Sequence, residues 1–195
     1  MQHERSALIA YIQKTLPIEP EKAEAIALHF TFKSLKKGDI FLQAGKVSDE
    51  YLFLENGSMR SYLLDTEGNE VTINLFGKHT MVFEVASFFQ RTPSEENIEA
   101  LAETAGWLLT YQQLNALFHA IPEFREFGRA VLVNGFIAFK NRTLSMINKT
   151  AEQRYEDLLR SNPEILQNAP LKYIASYLGV TDTSLSRIRK EFSRK

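Results

Sequence analysis

Ala169-Pro170-Leu171-Lys172-Tyr173-Ile174-Ala175-Ser176-Tyr177-Leu178-Gly179-Val180-Thr181-Asp182-Thr183-Ser184-Leu185-Ser186-Arg187-Ile188-Arg189-Lys190 is the stretch on which the reading of this chain turns. Leu171, Ile174, Ala175 and Leu178 recur in steps of three and four, which puts them on one face of a helix. Gly179 ends that helix in a backbone conformation that glycine tolerates best. Val180 packs in the turn, and Thr181 suits the N-cap of a second helix, where a hydroxyl accepts from a free first-turn amide. Leu185 and Ile188 supply the buried side of that second helix, and the small Ala175 permits a close crossing. The stretch therefore predicts a helix-turn-helix. Its outward positions hold Asp182, Thr183, Ser186, Arg187 and Lys190, residue types that read a DNA groove. An arginine bonds guanine through two N–H groups, while Thr181, Ser184 and the helix N-terminus suit phosphate. A helical hairpin that docks on protein is the alternative reading.

Charge is distributed to match. Residues 169–195 hold six basic side chains (Lys172, Arg187, Arg189, Lys190, Arg194, Lys195) against two acidic ones (Asp182, Glu191), a local +4 on a chain whose total is −1. A basic terminal module on an acidic body attracts phosphate locally without coating the whole surface in nucleic acid.

Upstream, Pro122 opens a long helical pattern that runs to about Ser145 or beyond. Phe127, Val131, Asn134, Ile137 or Ala138, Asn141 and Leu144 track roughly one face. A helix of about 25 residues is about 37 Å long, more than a small domain needs internally. It is expected to connect two domains and to pair with a second copy, since twofold pairing is the common way to bury such a helix. Gly128, Gly135 and Ala138 are small enough to admit that partner.

Between Leu35 and about Leu109 the texture is of short apolar runs, Ile40-Phe41-Leu42, Tyr51-Leu52-Phe53-Leu54 and Val71-Thr72-Ile73-Asn74-Leu75. Turn signals at Gly38, Gly45, Asn56-Gly57, Gly68-Asn69 and Gly77 separate them, and Ala105 to Tyr111 closes the series. Such spacing predicts an antiparallel barrel or jelly-roll, with hairpins at Asn56-Gly57 and Gly68-Asn69. Before it, Ser6 to Phe32 reads as two short helices parted by Pro17 and Pro20, a packing cap.

Several chemistries are excluded. With no cysteine among 195 residues there is no disulfide, thiol catalysis or thiolate-bound metal. His3, His29, His79 and His119 are scattered without metal-binding spacing, and there is no G-x-S-x-G, so no enzyme, metal site or cofactor is expected. No apolar run is long enough to span a membrane, and the N-terminus lacks a signal-peptide core, which makes the cytoplasm the expected compartment. Glu84 follows the apolar Met81-Val82-Phe83. Two roles are open to it: bonding an effector inside the roll, or capping a short helix that begins near Val85. Glu95, Glu96 and Glu99 are expected to form a solvated acidic face.

Three segments, Ala151-Glu152-Gln153-Arg154-Tyr155-Glu156-Asp157-Leu158-Leu159, Ile174 to Val180 and Leu185 to Lys190, carry a resemblance, together with the glycine rhythm of the β region and Glu84. Over essentially its whole length the chain resembles the family of the cyclic-AMP receptor protein and the fumarate-nitrate reduction regulator, the Crp/Fnr regulators. The resemblance implies an α+β protein with a cyclic-nucleotide-binding-like β-roll at residues 1–120, a dimerisation helix at 121–148 and a helix-turn-helix domain at 149–195; the family usually adds a β-hairpin wing, and this chain is expected to depart from it in lacking a C-terminal wing. It implies a homodimer on double-stranded DNA of near-palindromic sequence, with RNA polymerase and a small-molecule effector as further partners and no membrane. Asp182, Thr183 and Arg187 would face bases, and Thr181 and Ser184 phosphates.

At the phosphate-binding cassette, where that family has glycine-glutamate and then arginine with a small polar residue, this chain reads Phe83-Glu84 and then Ser94-Glu95-Glu96. Acidic groups there repel a cyclic phosphate. Phe139-Lys140 stand where the family's adenine-contacting pair falls. Phe83, Glu84, Ser94, Glu95, Phe139 and Lys140 are thus the candidate effector contacts, for an effector other than cyclic AMP.

Overall fold

The structure, a computed structural model, describes residues 4–192. His3, Arg194 and Lys195, which entered the histidine and charge readings, lie outside the described residues. The chain opens with α1 (Ser6–Thr15) and α2 (Pro20–Ala27), split at the prolines as expected. Eight strands follow: β1 (Thr31–Leu35), β2 (Ile40–Leu42), β3 (Glu50–Asn56), β4 (Met59–Leu64), β5 (Glu70–Phe76), β6 (Thr80–Val82), and, after the short α3 (Val85–Gln90), β7 (Asn97–Ala100) and β8 (Thr104–Thr110). They form two antiparallel four-stranded sheets, ordered β1-β8-β3-β6 and β2-β7-β4-β5. The expected jelly-roll is present.

Strand alternation separates two cores. Inward-facing Leu52, Leu54, Leu108, Met59 and Ile98 fill the space between the sheets. Outward-facing Tyr51, Phe53, Trp107 and Leu109 of the first sheet pack under α1 and α2, joined by Phe88 of α3 and by side chains of two later helices. Gly68-Asn69 closes the β4–β5 hairpin as predicted. Asn56-Gly57 does not close a hairpin. It carries the chain from one sheet to the other, because β3 pairs with β6 and β8 while β4 pairs with β5 and β7. Gly57 has φ +95°, and a Cβ there would meet the Glu103 carbonyl at 2.5 Å, so close approach as well as turn geometry requires glycine.

After the roll, Thr110 and Gln113 form a reciprocal capping box that starts α4 (Tyr111–Ala120), a helix the sequence did not separate from the next one. Ile121 is extended, as a residue before proline prefers to be, and Pro122 starts the 27-residue α5 (Pro122–Asn148). A second capping box, Thr150 with Gln153, begins α6 (Ala151–Ser161). The short α7 (Ile165–Asn168) leads to α8 (Leu171–Leu178) and α9 (Asp182–Phe192).

The first half of α5 packs on its own chain through Phe124, Phe127, Gly128 and Val131, and the second half touches it through Arg142 and Met146. Gly128 accommodates the Phe118 ring of α4, against which a Cβ would come to 2.4 Å, so its smallness serves the chain's own fold and not an incoming helix. Beyond it most side chains of the helix face solvent, with Phe136 and Phe139 about two-thirds exposed (66% and 67%) and Ile147 78% exposed. Among the described residues, no helix is long and apolar enough to cross a membrane.

Candidate nucleic-acid interface and effector site

The terminal head is built as its sequence suggests. Ile174, Ala175, Leu178, Leu185 and Ile188 are buried together with Tyr155 and Leu158 of α6, and Val180 packs against them, whereas Leu171 is 38% exposed. Gly179 adopts φ +66° at the end of α8. The Thr181 hydroxyl accepts from the Ser184 amide at 3.2 Å and contacts the Ser184 hydroxyl at 3.0 Å, which caps α9. Arg154 completes the hairpin by donating twice to the Leu178 carbonyl, at 3.1 and 2.8 Å, and once to the Lys149 carbonyl. It thereby ties the end of α8 to the α5–α6 corner and satisfies acceptors that a helix terminus leaves open.

With Leu185 and Ile188 inward, Thr181, Asp182, Thr183, Ser186, Arg187 and Lys190 are all exposed, and Ser184 is half-buried. The structure therefore brings every predicted DNA-facing residue onto one side of α9 and its cap. Acidic Asp182 sits in the first turn, where it favours the helix, and Arg189 and Lys190 occupy the last turn.

The six predicted effector contacts do not converge in this way. Phe83 belongs to the aromatic packing of Tyr51, Phe88 and Phe89, at ring distances of 4.8, 5.5 and 6.2 Å. The space beside it amounts to about 10 Å³, too small for a ligand. Glu84 caps α3, its carboxylate accepting from the amides of Ala86 and Ser87 at 3.0 and 2.5 Å, the second of the two roles open to it. Ser94 is buried and bonds its hydroxyl to the backbone of Glu96. Glu95 is exposed, and Phe139 and Lys140 lie on the exposed stretch of α5.

A different polar group gathers at the roll's end facing α5. Ser61 of β4 and Asn74 of β5 are paired side chains, and Glu96 bonds to Ser61. Burial pushes the Glu96 carboxyl above its ordinary range; the Ser61 bond and the Arg142 charge oppose this, and the charges of Glu84 and Glu95 add to it. Arg142, from α5, donates to the Ile73 carbonyl and, at 3.1 Å, to the Tyr177 carbonyl, and burial lowers its pKa. Glu96 is thus partly buried, and Glu99 binds Arg60 at 2.6 Å, so of the expected solvated face only Glu95 is exposed. Arg91, the arginine nearest the cassette, is held by Asp49 at 2.6 Å and by the Ser48 carbonyl, and stacks on Tyr111. Ser61, Asn74 and Arg142 escaped sequence reading because each acquires meaning only through a partner on another element; Asn74 and Ser61 interrupting apolar strands was the one available signal.

A β-roll, a long and largely exposed helix and a helix-turn-helix head follow one another in this chain. Residues 32–120 match the cyclic nucleotide-binding domain family. Among solved structures, FixK2 from Bradyrhizobium japonicum is similar at 17% identity and TM-score 0.72, over 85% of each chain. The c-di-GMP responsive global regulator CLP of Xanthomonas campestris is 14% identical with TM-score 0.68, over 90% of this chain and 92% of its own. A transcriptional regulator of the Crp/Fnr family from Eubacterium rectale is 18% identical with TM-score 0.67, over 94% of this chain and 88% of its own. None of the curated proteins matches in sequence. The chain has the fold of the Crp/Fnr regulators built on a cyclic nucleotide-binding domain, and the resemblance read in its sequence is borne out.

Proposed function

We propose that this chain is a cytoplasmic DNA-binding transcription regulator of the Crp/Fnr type, a homodimer on a near-palindromic operator. One observation carries the reading: α9 seals a complete helix-turn-helix core with Leu185 and Ile188 while presenting Asp182, Thr183, Ser186, Arg187 and Lys190 to solvent. Thr181 and Ser184, at the helix N-terminus, are suited to phosphate, and Arg187 to a guanine edge.

The exposed apolar side of α5, with Leu132, Phe136, Phe139 and Ile147, supports pairing with a second copy. Twofold pairing would set two α9 helices about 34 Å apart, one turn of DNA. Between each roll and its α5, Ser61, Asn74, Glu96 and Arg142 are the favoured effector contacts. The carboxylates of Glu84, Glu95 and Glu96, with Arg91 held elsewhere, disfavour a cyclic phosphate and favour a cationic or hydroxylated effector.

Binding of the purified protein to a fluorescent duplex across a salt series tests the reading against a head that docks on protein. With about six phosphate contacts, affinity is expected to fall by about a thousandfold between about 50 and 200 mM salt. Salt-insensitive binding, or none at low salt, rejects DNA as the partner.

A further inference from the structure

The head does not hang freely from α5. Helix α8 lies on β5, the edge strand of the second sheet, and the centre of that contact is Arg60 of β4, whose side chain is fully buried (0% exposed). A buried guanidinium is costly unless its N–H groups and its charge are both answered. Two of its nitrogens bond Glu99 of β7 and Glu70 of β5, each at 2.6 Å. Its plane is held between Tyr62 of its own strand, 4.1 Å from the ring centre, and Tyr173 of α8, at 3.3 Å. The roll thus supplies the carboxylates and one aromatic face, and the head supplies the other.

Neighbouring contacts continue the same seam. The Thr72 amide of β5, on the open edge of its sheet, donates to the Ser176 hydroxyl of α8 at 2.9 Å. Arg142 bridges the next carbonyl, that of Ile73, to the Tyr177 carbonyl and stacks on the Tyr177 ring at 4.1 Å. Just beyond β5, the Asn162 amide group of the α6–α7 corner lies directly against Gly77, where a Cβ would come within 2.4 to 2.8 Å of it. Leu75 and Leu101 of the roll pack into the head's own core.

We propose that Arg60, through its stack on Tyr173, is a positioning residue for DNA binding: it clamps α8 to the second sheet and so sets where α9 stands relative to α5. The inference rests on the reading of α9 as the DNA reader. The clamp also gives the effector site a route to the head. Side chains alternate along a strand, so Ser61 and Asn74 reach the polar group at the roll's end from residues adjacent to Arg60 and Ile73, which hold the head. A ligand that shifts β4 against β5 moves both sets of contacts together.

The chain has no cysteine, so Thr66→Cys with Gln167→Cys places one spin label on the β4–β5 turn and one on α7, both exposed. Labelled chain diluted with unlabelled chain reads the intrachain distance. Four backgrounds are compared: the parent, Tyr173→Phe, Tyr173→Leu and Arg60→Lys; the last leaves the head's core untouched. The parent and Tyr173→Phe, which keeps the ring, are expected to give one narrow distance. Tyr173→Leu and Arg60→Lys are expected to broaden it, to weaken binding to the selected operator about tenfold, and to lose the preference for its half-site spacing. A broad distance in the parent, or a narrow one with unchanged spacing preference in both Tyr173→Leu and Arg60→Lys, overturns the clamp. Distances that respond as expected in a protein that binds no DNA overturn the DNA-reader reading instead.

Discussion

Arg187 projects from the exposed side of α9 while its neighbour Ile188 is buried, and that one-residue contrast allows the residue to be tested without disturbing the fold. Arg187→Ala is expected to cost about 1–3 kcal/mol on the preferred operator and to relax selectivity at one base pair per half-site, measured by titrating single-base operator variants. An equal loss on every sequence would assign Arg187 to phosphate. Glu96 has a second consequence. Burial raises its pKa in the folded chain, so the fold favours the protonated carboxyl; that contribution is complete below the ordinary value of 4.5 and is lost as pH rises through the raised one. Glu96→Gln is therefore expected to melt higher than the parent at pH 7 and to lose that advantage as pH falls to 4.5, a trend that parallel thermal melts would show. At this scale the sequence was uneven. Thr181, Gly179, Leu185 and Ile188 were legible because their partners lie within a few residues. Arg60, Arg142 and Arg154 were not, since each is defined by a group far along the chain: Arg60 with Glu99, Arg142 with Ile73, Arg154 with Leu178.

Helix α5 shows both what periodicity reveals and what it conceals. Its start at Pro122 and its length were readable, but α4 was merged with it, because the break between them is a single extended residue, Ile121, set by the proline that follows. The apolar residues of α5 wind around much of its circumference, so the pattern alone could not divide the half packed on the roll from the half whose apolar side chains are largely exposed. Phe118 against Gly128 makes that division in space. Phe136→Glu is expected to leave the thermal stability of the subunit within about 0.5 kcal/mol, since the side chain is exposed, and to shift the protein from dimer to monomer at micromolar concentration. Sedimentation velocity distinguishes the two states. A parent chain that already sediments as a monomer would remove α5 as the pairing element. The hairpin expected at Asn56-Gly57 fails for a related reason: a turn signal fixes a local reversal and not which sheet receives the next strand.

At the scale of the whole molecule, roll strands, connecting helix and terminal head meet at one seam along β5. Glu70, Thr72, Ile73 and Leu75 each contribute a side chain or backbone group to it. The layered arrangement, with helices outside one sheet and the head against the other, was readable only in part from sequence. Turn spacing gave the roll and the terminal pattern gave the head, but nothing local announced that the two would dock. That docking makes the position of α9 a property of the whole chain, and it makes operator geometry the most informative readout of the account. The decisive measurement is selection of bound sequences from random duplex DNA by the ligand-free protein at low and at moderate salt. The account predicts a near-palindrome with half-sites about ten base pairs apart centre to centre, enriched more strongly at low salt, with one base pair per half-site lost in Arg187→Ala. Failure to enrich any motif at low salt, or enrichment of a single asymmetric site, would contradict it.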